Sequence, residues 1–383
     1  MTPKLYTSFF DRLTGSICGL AIGDGMGGPV EGWSPQRIRE RFHDWDFTTF
    51  LPTTDWAPKG HGRITDDTLM TEALIRAYGV AGAHLDATDY RDFLLPEMCD
   101  RKVWVPERQQ EMAIIDRLNN IERYTRYRLR DFGAEPRLAG QGNALNCAIA
   151  MFIMPVGAVN AGDPHAAYQE AAALGMAESH SYAVEGAAAL AAAYAEALAD
   201  GATVDSVIHA ARDLGRDGVR AAIIAAQEAT DPTDSTDRWI ERVRGAMVSF
   251  DVHSDTLPLE QVAASAQQQV RNLPDPRGCF EEMPVALAAL RYGQGDFLRT
   301  LRTAVSYGRD ADSIAGMACG LCGGLVGQSG IPEKLITASH QANRRDWPAM
   351  AKNFTQVICT IWTADRIRQH RRQKMLEPLL AKT

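Results

Sequence analysis

Two short acidic motifs, far apart in the chain, carry the residue types from which a cation site can be built. Thr65-Asp66-Asp67-Thr68 follows the glycine turn Gly60-His61-Gly62-Arg63, and Asp310-Ala311-Asp312-Ser313 follows Gly308-Arg309. Each precedes an apolar run with helical spacing. Carboxylates and hydroxyls converging from two helix starts make an all-oxygen cage, the donor set that hard divalent cations such as Mg²⁺ prefer. Two such ions about 3.5–4 Å apart bind and activate a water between them. Each motif also has a plainer reading, an N-cap followed by acidic first-turn residues. That arrangement stabilises a helix by about 0.5–2 kcal/mol for the cap and about 0.3–1 kcal/mol per charge.

Two glycine-rich stretches bear on the choice. Gly19-Leu-Ala-Ile-Gly23-Asp24-Gly25-Met-Gly27-Gly28-Pro29-Val-Glu31-Gly32 is dense enough in glycine for positive φ and close backbone approach. It reads either as a flexible exit from a helix or as a mobile segment that carries Glu31 to a metal. Gly140-Gln141-Gly142-Asn143-Ala144-Leu145-Asn146 reads either as a simple helix entry or as a loop offering backbone N–H groups to a phosphate.

With these residues in order, the chain resembles the ADP-ribosylglycohydrolases, including the dinitrogenase-reductase-activating type. The resemblance runs from about Gly15 to Gly327. It rests on Gly-Leu-Ala-x-Gly-Asp-x-x-Gly-x-Pro-x-Glu at Gly19–Glu31, Thr-Asp-Asp-Thr at Thr65–Thr68 and Gly-Asn at Gly142–Asn143. The stretch around Ser179-His180-Ser181 and Asp-x-Asp-Ser at Asp310–Ser313 complete it. The resemblance implies an all-α, compact orthogonal helical bundle with two Mg²⁺ ions (Mn²⁺ is an alternative) that hydrolyses the bond at the anomeric ribose carbon of ADP-ribose. It implies Thr65, Asp66, Asp67, Asp310, Asp312 and Ser313 as metal ligands. Glu31, on a flap, joins Asp66 and Asp67 as candidate catalytic carboxylates. Gly142, Asn143, Ala144 and Leu145 would line the diphosphate groove, and His180 would border the substrate or serve as a core histidine.

Two departures from the family pattern stand out. Arg309 replaces a glycine of Gly-Gly-Asp-Thr-Asp-Thr. It either projects away or binds an anionic substrate group in fork geometry, which makes it a further substrate-binding candidate. Ala144, Leu145, Asn146 and Cys147 replace a glycine and small residues of the groove loop. Trp33, Trp45 and Trp56 crowd the segment between Glu31 and the first acidic motif, either as core or as a surface that stacks on a base.

Carboxylates gathered in one cleft repel: two unit charges 4 Å apart cost about 4 kcal/mol at an effective dielectric of 20. Cations remove that penalty, and a carboxylate beside the anomeric carbon can stabilise an oxocarbenium-like transition state or accept a proton from water.

The elements that must position these residues read as helices. The 383 residues are 45% apolar with net charge −8, enough for a sizeable core and unfavourable for binding nucleic-acid polymers. Alternating strand patterns are scarce. Helices are expected at about Asp11–Ile22, Asp67–Tyr78, Glu107–Arg128, Ala144–Met154, His165–Gly175, Ser181–Asp200 and Val204–Leu214. More are expected at about Val219–Glu228, Ser235–Phe250, Leu259–Arg271, Met283–Tyr292, Phe297–Tyr307, Ser313–Gly327 and Pro348–Gln373. Ser181, Asp234 or Ser235, Asp296 and Ser313 are the expected caps. Residues 1–383 are expected to form one domain, with Thr230–Asp237 as a surface loop, the helix at 348–373 at the C-terminal end and the basic run Arg366–Lys374 as a solvated face. No apolar stretch reads as a signal peptide or a membrane span. Seven scattered cysteines point to a reducing compartment and a cytoplasmic protein, and Cys319-x-x-Cys322 reads as tight helix packing.

Three functions remain open on this reading. The first is a Mg²⁺-dependent hydrolase of small-molecule or protein-linked ADP-ribosyl substrates. The second is a related glycosidase acting on a smaller nucleoside, nucleotide or other ribosyl compound. The third is a non-catalytic binding or structural protein on the same scaffold.

Overall fold

Glycines spaced four apart decide how the chain folds around the acidic motifs. The computed structural model describes residues 3–53, 59–118, 120–250 and 280–380. Its longer helices are α1 (Pro3–Gly27), α2 (Asp66–Ala81), α3 (Pro164–Gly175), α4 (Ser181–Ala197), α5 (Val204–Leu214) and α6 (Asp217–Glu228). They continue with α7 (Thr236–Met247), α8 (Glu282–Gly293), α9 (Phe297–Tyr307), α10 (Ala311–Val326), α11 (Glu333–Asn343) and α12 (Trp347–Leu380). Of the described residues 72% are helical, an all-α fold. Between α2 and α3 an antiparallel hairpin pairs β1 (Lys102–Val105) with β2 (Gln110–Ala113), Val103 opposite Met112. It is the one sheet among the described residues.

Helices α1 and α10 run antiparallel in backbone contact. A methyl group placed on Gly15, Gly19, Gly23 or Gly27 would stand 2.1–2.3 Å from the carbonyl oxygen of Gly323, Cys319, Ala315 or Ala311, respectively. Real side chains do not fit there. The contact therefore fixes the end of α1 against the start of α10, and Glu31 and Asp310–Ser313 lie at that end. The glycine-dense stretch is thus mostly helix with a close-packed face, and of its glycines Gly32 has positive φ, 77°. The segment after it is tied rather than loose: Gly32 N–H donates to the Arg309 carbonyl at 2.6 Å, and Arg309 N–H to the Trp33 carbonyl at 2.9 Å.

Around this pair, α4 presents a buried face of alanines, and Tyr194 donates its hydroxyl to the Met317 carbonyl at 3.2 Å. Helix α8 packs on α6, α9 and α10, and α12 covers α1 and α2. Buried apolar residues from Phe9 to Ile361 form one cluster. Cys319 and Cys322 are buried and unbridged inside α10. No helix among the described residues is long and apolar enough to cross a membrane.

Several expectations need correction. The helix expected at Glu107–Arg128 is the end of the hairpin, two short helices (Ile114–Arg117, Asn120–Arg126) and a π-turn. Glu107 is drawn inward to pair with Arg117, and Val105 and Ile114 are buried, so tertiary contacts override local periodicity. The helix expected at Ala144–Met154 is irregular up to a short 3₁₀ turn, Ala150–Phe152. There the side-chain oxygens of Asn143 and Asn146 capture the N–H groups of Ala144 and Ala148, each at 2.9 Å, the local competition that keeps asparagine out of helices. Ser235 and Asp296 do cap α7 and α9. Ser181 and Ser313 do not cap: their helices have His180 and Asp310 at the N-cap. Helix α11 and a short helix Pro35–Arg41 are additional. The helix expected at Leu259–Arg271 lies outside the described residues, as does Trp56.

Candidate functional site

Both acidic motifs stand at helix starts, and neither N-cap residue caps its helix. Thr65 precedes α2 and Asp310 precedes α10, yet neither side chain bonds its own first-turn N–H groups. The Thr65 hydroxyl turns to Asp67 at 3.2 Å, and Asp310 accepts from the Cys147 thiol at 3.2 Å. The start of α2 is capped from another helix instead. Buried Asp24 of α1 accepts from Thr65 N–H at 3.0 Å, Thr68 N–H at 3.2 Å and the Thr68 hydroxyl. On the other side, Asn343 of α11 clamps the lead-in, accepting from Ile64 N–H at 2.9 Å and donating to the Gly62 carbonyl at 2.8 Å.

These supports bring distant carboxylates together. Glu31, Asp310 and Asp312 each place an oxygen within 4.8 Å of the other two. Cys147, Glu282 and Asp310 form an adjoining group at the same spacing. Two cations of the chain neutralise the edges. Lys59 donates to Glu31 and, at 2.8 Å, to Asp312. Arg117 pairs with Asp66 at 2.7 Å and forks onto Glu107. Among the described residues the interior has no such partner, and Asp67 Oδ1 is buried without a hydrogen bond.

Proton affinities follow that division. Burial, then the charge of Asp312, pushes Asp67 well above the usual carboxylate range, and Asp310 rises for the same two reasons with Glu282 adding to them. Asp24 is pushed up to about 7 by burial and Asp312, against the hydrogen bonds from Thr68 and Thr65. Glu31 also reaches about 7 through burial and Asp312, with Lys59 opposing. Asp312 is the exception: burial would raise it, but the Lys59 ammonium holds it below its ordinary value. Burial, then the charge of Asp310, keeps the Cys147 thiol far above its usual range.

The donor set suits a hard divalent cation. An orphaned carboxylate oxygen, two released cap side chains and a buried run of uncompensated acids are the features that a bound cation would satisfy.

The residues expected along the groove behave differently. Gly142 takes φ 80°. Buried Asn143 donates its amide to the carbonyls of Ile121 at 3.1 Å and Glu178 at 2.8 Å and to the Thr125 hydroxyl at 3.3 Å. His180 Nε2 donates to the Asn143 carbonyl at 3.3 Å, and Ala144 and Leu145 continue the same loop. The segment 178–180 is pinned against this loop by Asn143 and His180, and α4 begins at Ser181, with φ 52°. Arg309 also has positive φ, 57°, which accounts for glycine at this place in the family pattern. Its guanidinium is held by Glu281 at 2.8 and 3.0 Å. Trp33 stacks on Phe42, and Trp45 on Phe47, as parts of one aromatic cluster.

Asp24, Lys59, Arg117, Cys147 and Glu282 escaped the sequence reading as site residues. Asp24 lay in view inside the quoted Gly-Asp pattern and Cys147 inside the altered groove loop; the other three had no motif to mark them.

A sequence model of the family described as ADP-ribosylglycohydrolase matches residues 5–364. The uncharacterized protein YegU of Escherichia coli (strain K12) is 24% identical over 353 residues, which span 88% of this chain and 94% of that protein. A solved structure titled ADP-ribosylglycohydrolase-related protein complex superposes with a TM-score of 0.59 at 20% identity, over 92% of this chain and 99% of that one.

Proposed function

We infer the activity from one premise: the chain belongs to the ADP-ribosylglycohydrolase family, whose members are hydrolases of the glycosylase type. The reading is a hydrolase that cleaves the glycosidic bond at the anomeric ribose carbon of an ADP-ribosylated substrate. Residues 1–383 would form its single domain. Thr65, Asp66, Asp67, Asp310, Asp312 and Ser313 would hold two Mg²⁺ ions, or Mn²⁺ in their place. The observation that carries it is the pair of helix starts whose cap residues turn away from their own helices into a common cluster. A structural role alone would have used those side chains as caps, at a gain of about 0.5–2 kcal/mol each.

When bound, the ions would neutralise the acids, hold ribose hydroxyls and polarise a water. The chain's own residues supply the rest. Lys59 fixes Glu31 at the edge of the cluster, and Arg117 fixes Asp66. Asp67 keeps an oxygen without a partner. Glu31, Asp66 and Asp67 are the proposed catalytic carboxylates, which stabilise the oxocarbenium-like transition state and take the proton of the attacking water. Gly142, Asn143, Ala144, Leu145, His180 and Arg309 are proposed to line the substrate side.

Calorimetric titration with Mg²⁺ and Mn²⁺ tests the centre: wild type binds, and Asp66→Ala and Asp312→Ala each bind more weakly. Failure of wild type to bind either ion would sink it. Incubation with ADP-ribosyl-arginine and an ADP-ribosyl-serine peptide tests the substrate through release of ADP-ribose.

A second reading, hydrolysis of a smaller ribosyl compound, draws support from the groove. The fork of Arg309 is taken up by Glu281, and Cys147 and Glu282 stand beside Asp310. Release of free base from a nucleoside panel, with no ADP-ribose from the other substrates, would select it.

A further inference from the structure

Among the described residues, Lys59 and Arg117 are the cations seen on the acidic cluster, and they are held differently. Arg117 has an anchor outside the cluster, the fork onto Glu107, as well as its contact with Asp66. Lys59 has none among the described residues: its ammonium donates to Glu31 and Asp312, both at the centre. It is also well buried, 8% exposed, and its stem lies along Gly28, where an added methyl group would meet the Lys59 Cδ at 3.3 Å.

The oxygens that Lys59 contacts belong to the tight Glu31, Asp310 and Asp312 group. Lys59 already engages two of its three carboxylates, and an ammonium is a compact point charge with three donors on a flexible stem. A divalent ion taken up by Glu31 and Asp312 would repel the ammonium and require the same lone pairs. We propose that Lys59 is a tethered cation that fills the Glu31–Asp312 edge of the centre and competes with a divalent ion for it. The proposal rests on the metal-centre reading above.

Two things follow. Without an ion, Lys59 ties the Glu31 carboxylate to Asp312 of α10. Uptake of an ion at this edge expels the ammonium and passes Glu31 from Lys59 to the ion, so loading of the edge and release of Lys59 are one event. The interior position, around Asp67 and Asp310, loads without that competition.

The test uses the full chain and Mn²⁺ as the probe. Free Mn²⁺ is followed by electron paramagnetic resonance during titration of wild type, Lys59→Gln and Lys59→Arg. Lys59→Gln is expected to bind its weakest-held ion at least tenfold more tightly than wild type, while Lys59→Arg stays near wild type. Independently, wild-type Lys59 is labelled with an amine-acylating reagent and read by mass spectrometry. Labelling is expected to rise at least fivefold on saturation with Mn²⁺. If Lys59→Gln does not fold, the labelling of wild type decides by itself. Equal Mn²⁺ affinities in wild type and Lys59→Gln, with labelling unchanged by the ion, would overturn the proposal and leave the metal centre standing. Absence of Mn²⁺ binding in all three proteins, with Lys59 still protected, would overturn both.

Discussion

The acidic centre and the loop beside it use similar polar residues in opposite ways. At the centre, Thr65 and Asp310 forgo the local bonds that their N-cap positions offer, and Asp67 leaves an oxygen unbonded. In the loop, Asn143 satisfies its amide nitrogen three times over, and Asn143 and Asn146 both cap nearby N–H groups. Side chains saturated by their own backbone are scaffold. Side chains released from that duty, at a cost to the helix that carries them, are the ones available to a ligand.

The sharpest way to break this comparison is Asp67→Asn. It should weaken Mn²⁺ binding by roughly a hundredfold and cut turnover by a similar factor or more, as measured by calorimetry and a product assay. In the absence of ions the same variant should melt at a higher temperature than wild type, by about 1 kcal/mol in stability at neutral pH, because the native site disfavours the ionised carboxyl that the unfolded chain carries. A variant that lost both stability and binding would place Asp67 with the scaffold.

Asn143→Ala should do the reverse. It strips donors from the Ile121 and Glu178 carbonyls and should cost about 2 kcal/mol in denaturant unfolding. Its Mn²⁺ affinity should stay within about twofold of wild type, and a large loss of affinity would erase the distinction between the two regions.

The smallest effect is expected at a saturated cluster away from both. Glu170 accepts from Tyr78 at 2.8 Å, Leu85 N–H at 2.8 Å and Asn160 at 2.6 Å, and it pairs with His84, whose other nitrogen meets Asp365 at 3.1 Å. The hydrogen bond that His84 donates to Glu170 pushes the imidazole up to about 9, against partial burial. A raised folded-state value means that the stabilisation is complete below about pH 6.5 and disappears as pH rises through about 9. Discounted for the solvent exposure of the ring, it amounts to about 1–2 kcal/mol. Thermal melts of wild type should fall across that window, and those of His84→Ala should be flatter and lower at pH 6.

Much of the helical layout was legible in sequence because long amphipathic runs such as Val204–Leu214 and Phe297–Tyr307 have the period of their packing; both match the structure end to end. The hairpin was not, since Glu107 and Arg117 fit a helical pattern until the fold pairs them across the ribbon turn. The acidic residues were legible because two carboxylates in three positions at a helix start are rare enough to notice. Lys59, Arg117 and Glu282 carry no local signature, since what makes them part of the centre is a contact across as many as 253 positions of chain. The caps expected at Ser181 and Ser313 miss for a related reason: local preference favours the serines, whereas the fold puts His180 and Asp310 at the N-cap.

The touching backbones of α1 and α10 have a bearing on tolerance. Between most helices, a side chain that changes rotamer can absorb a shift; here four carbonyls abut four bare α-carbons, and nothing in the seam can yield. A slip of one residue, about 1.5 Å along the axis, would lose all four seats at once. Spacing among the acids is therefore inherited from covalent geometry, and drift on the outer faces of either helix leaves it untouched.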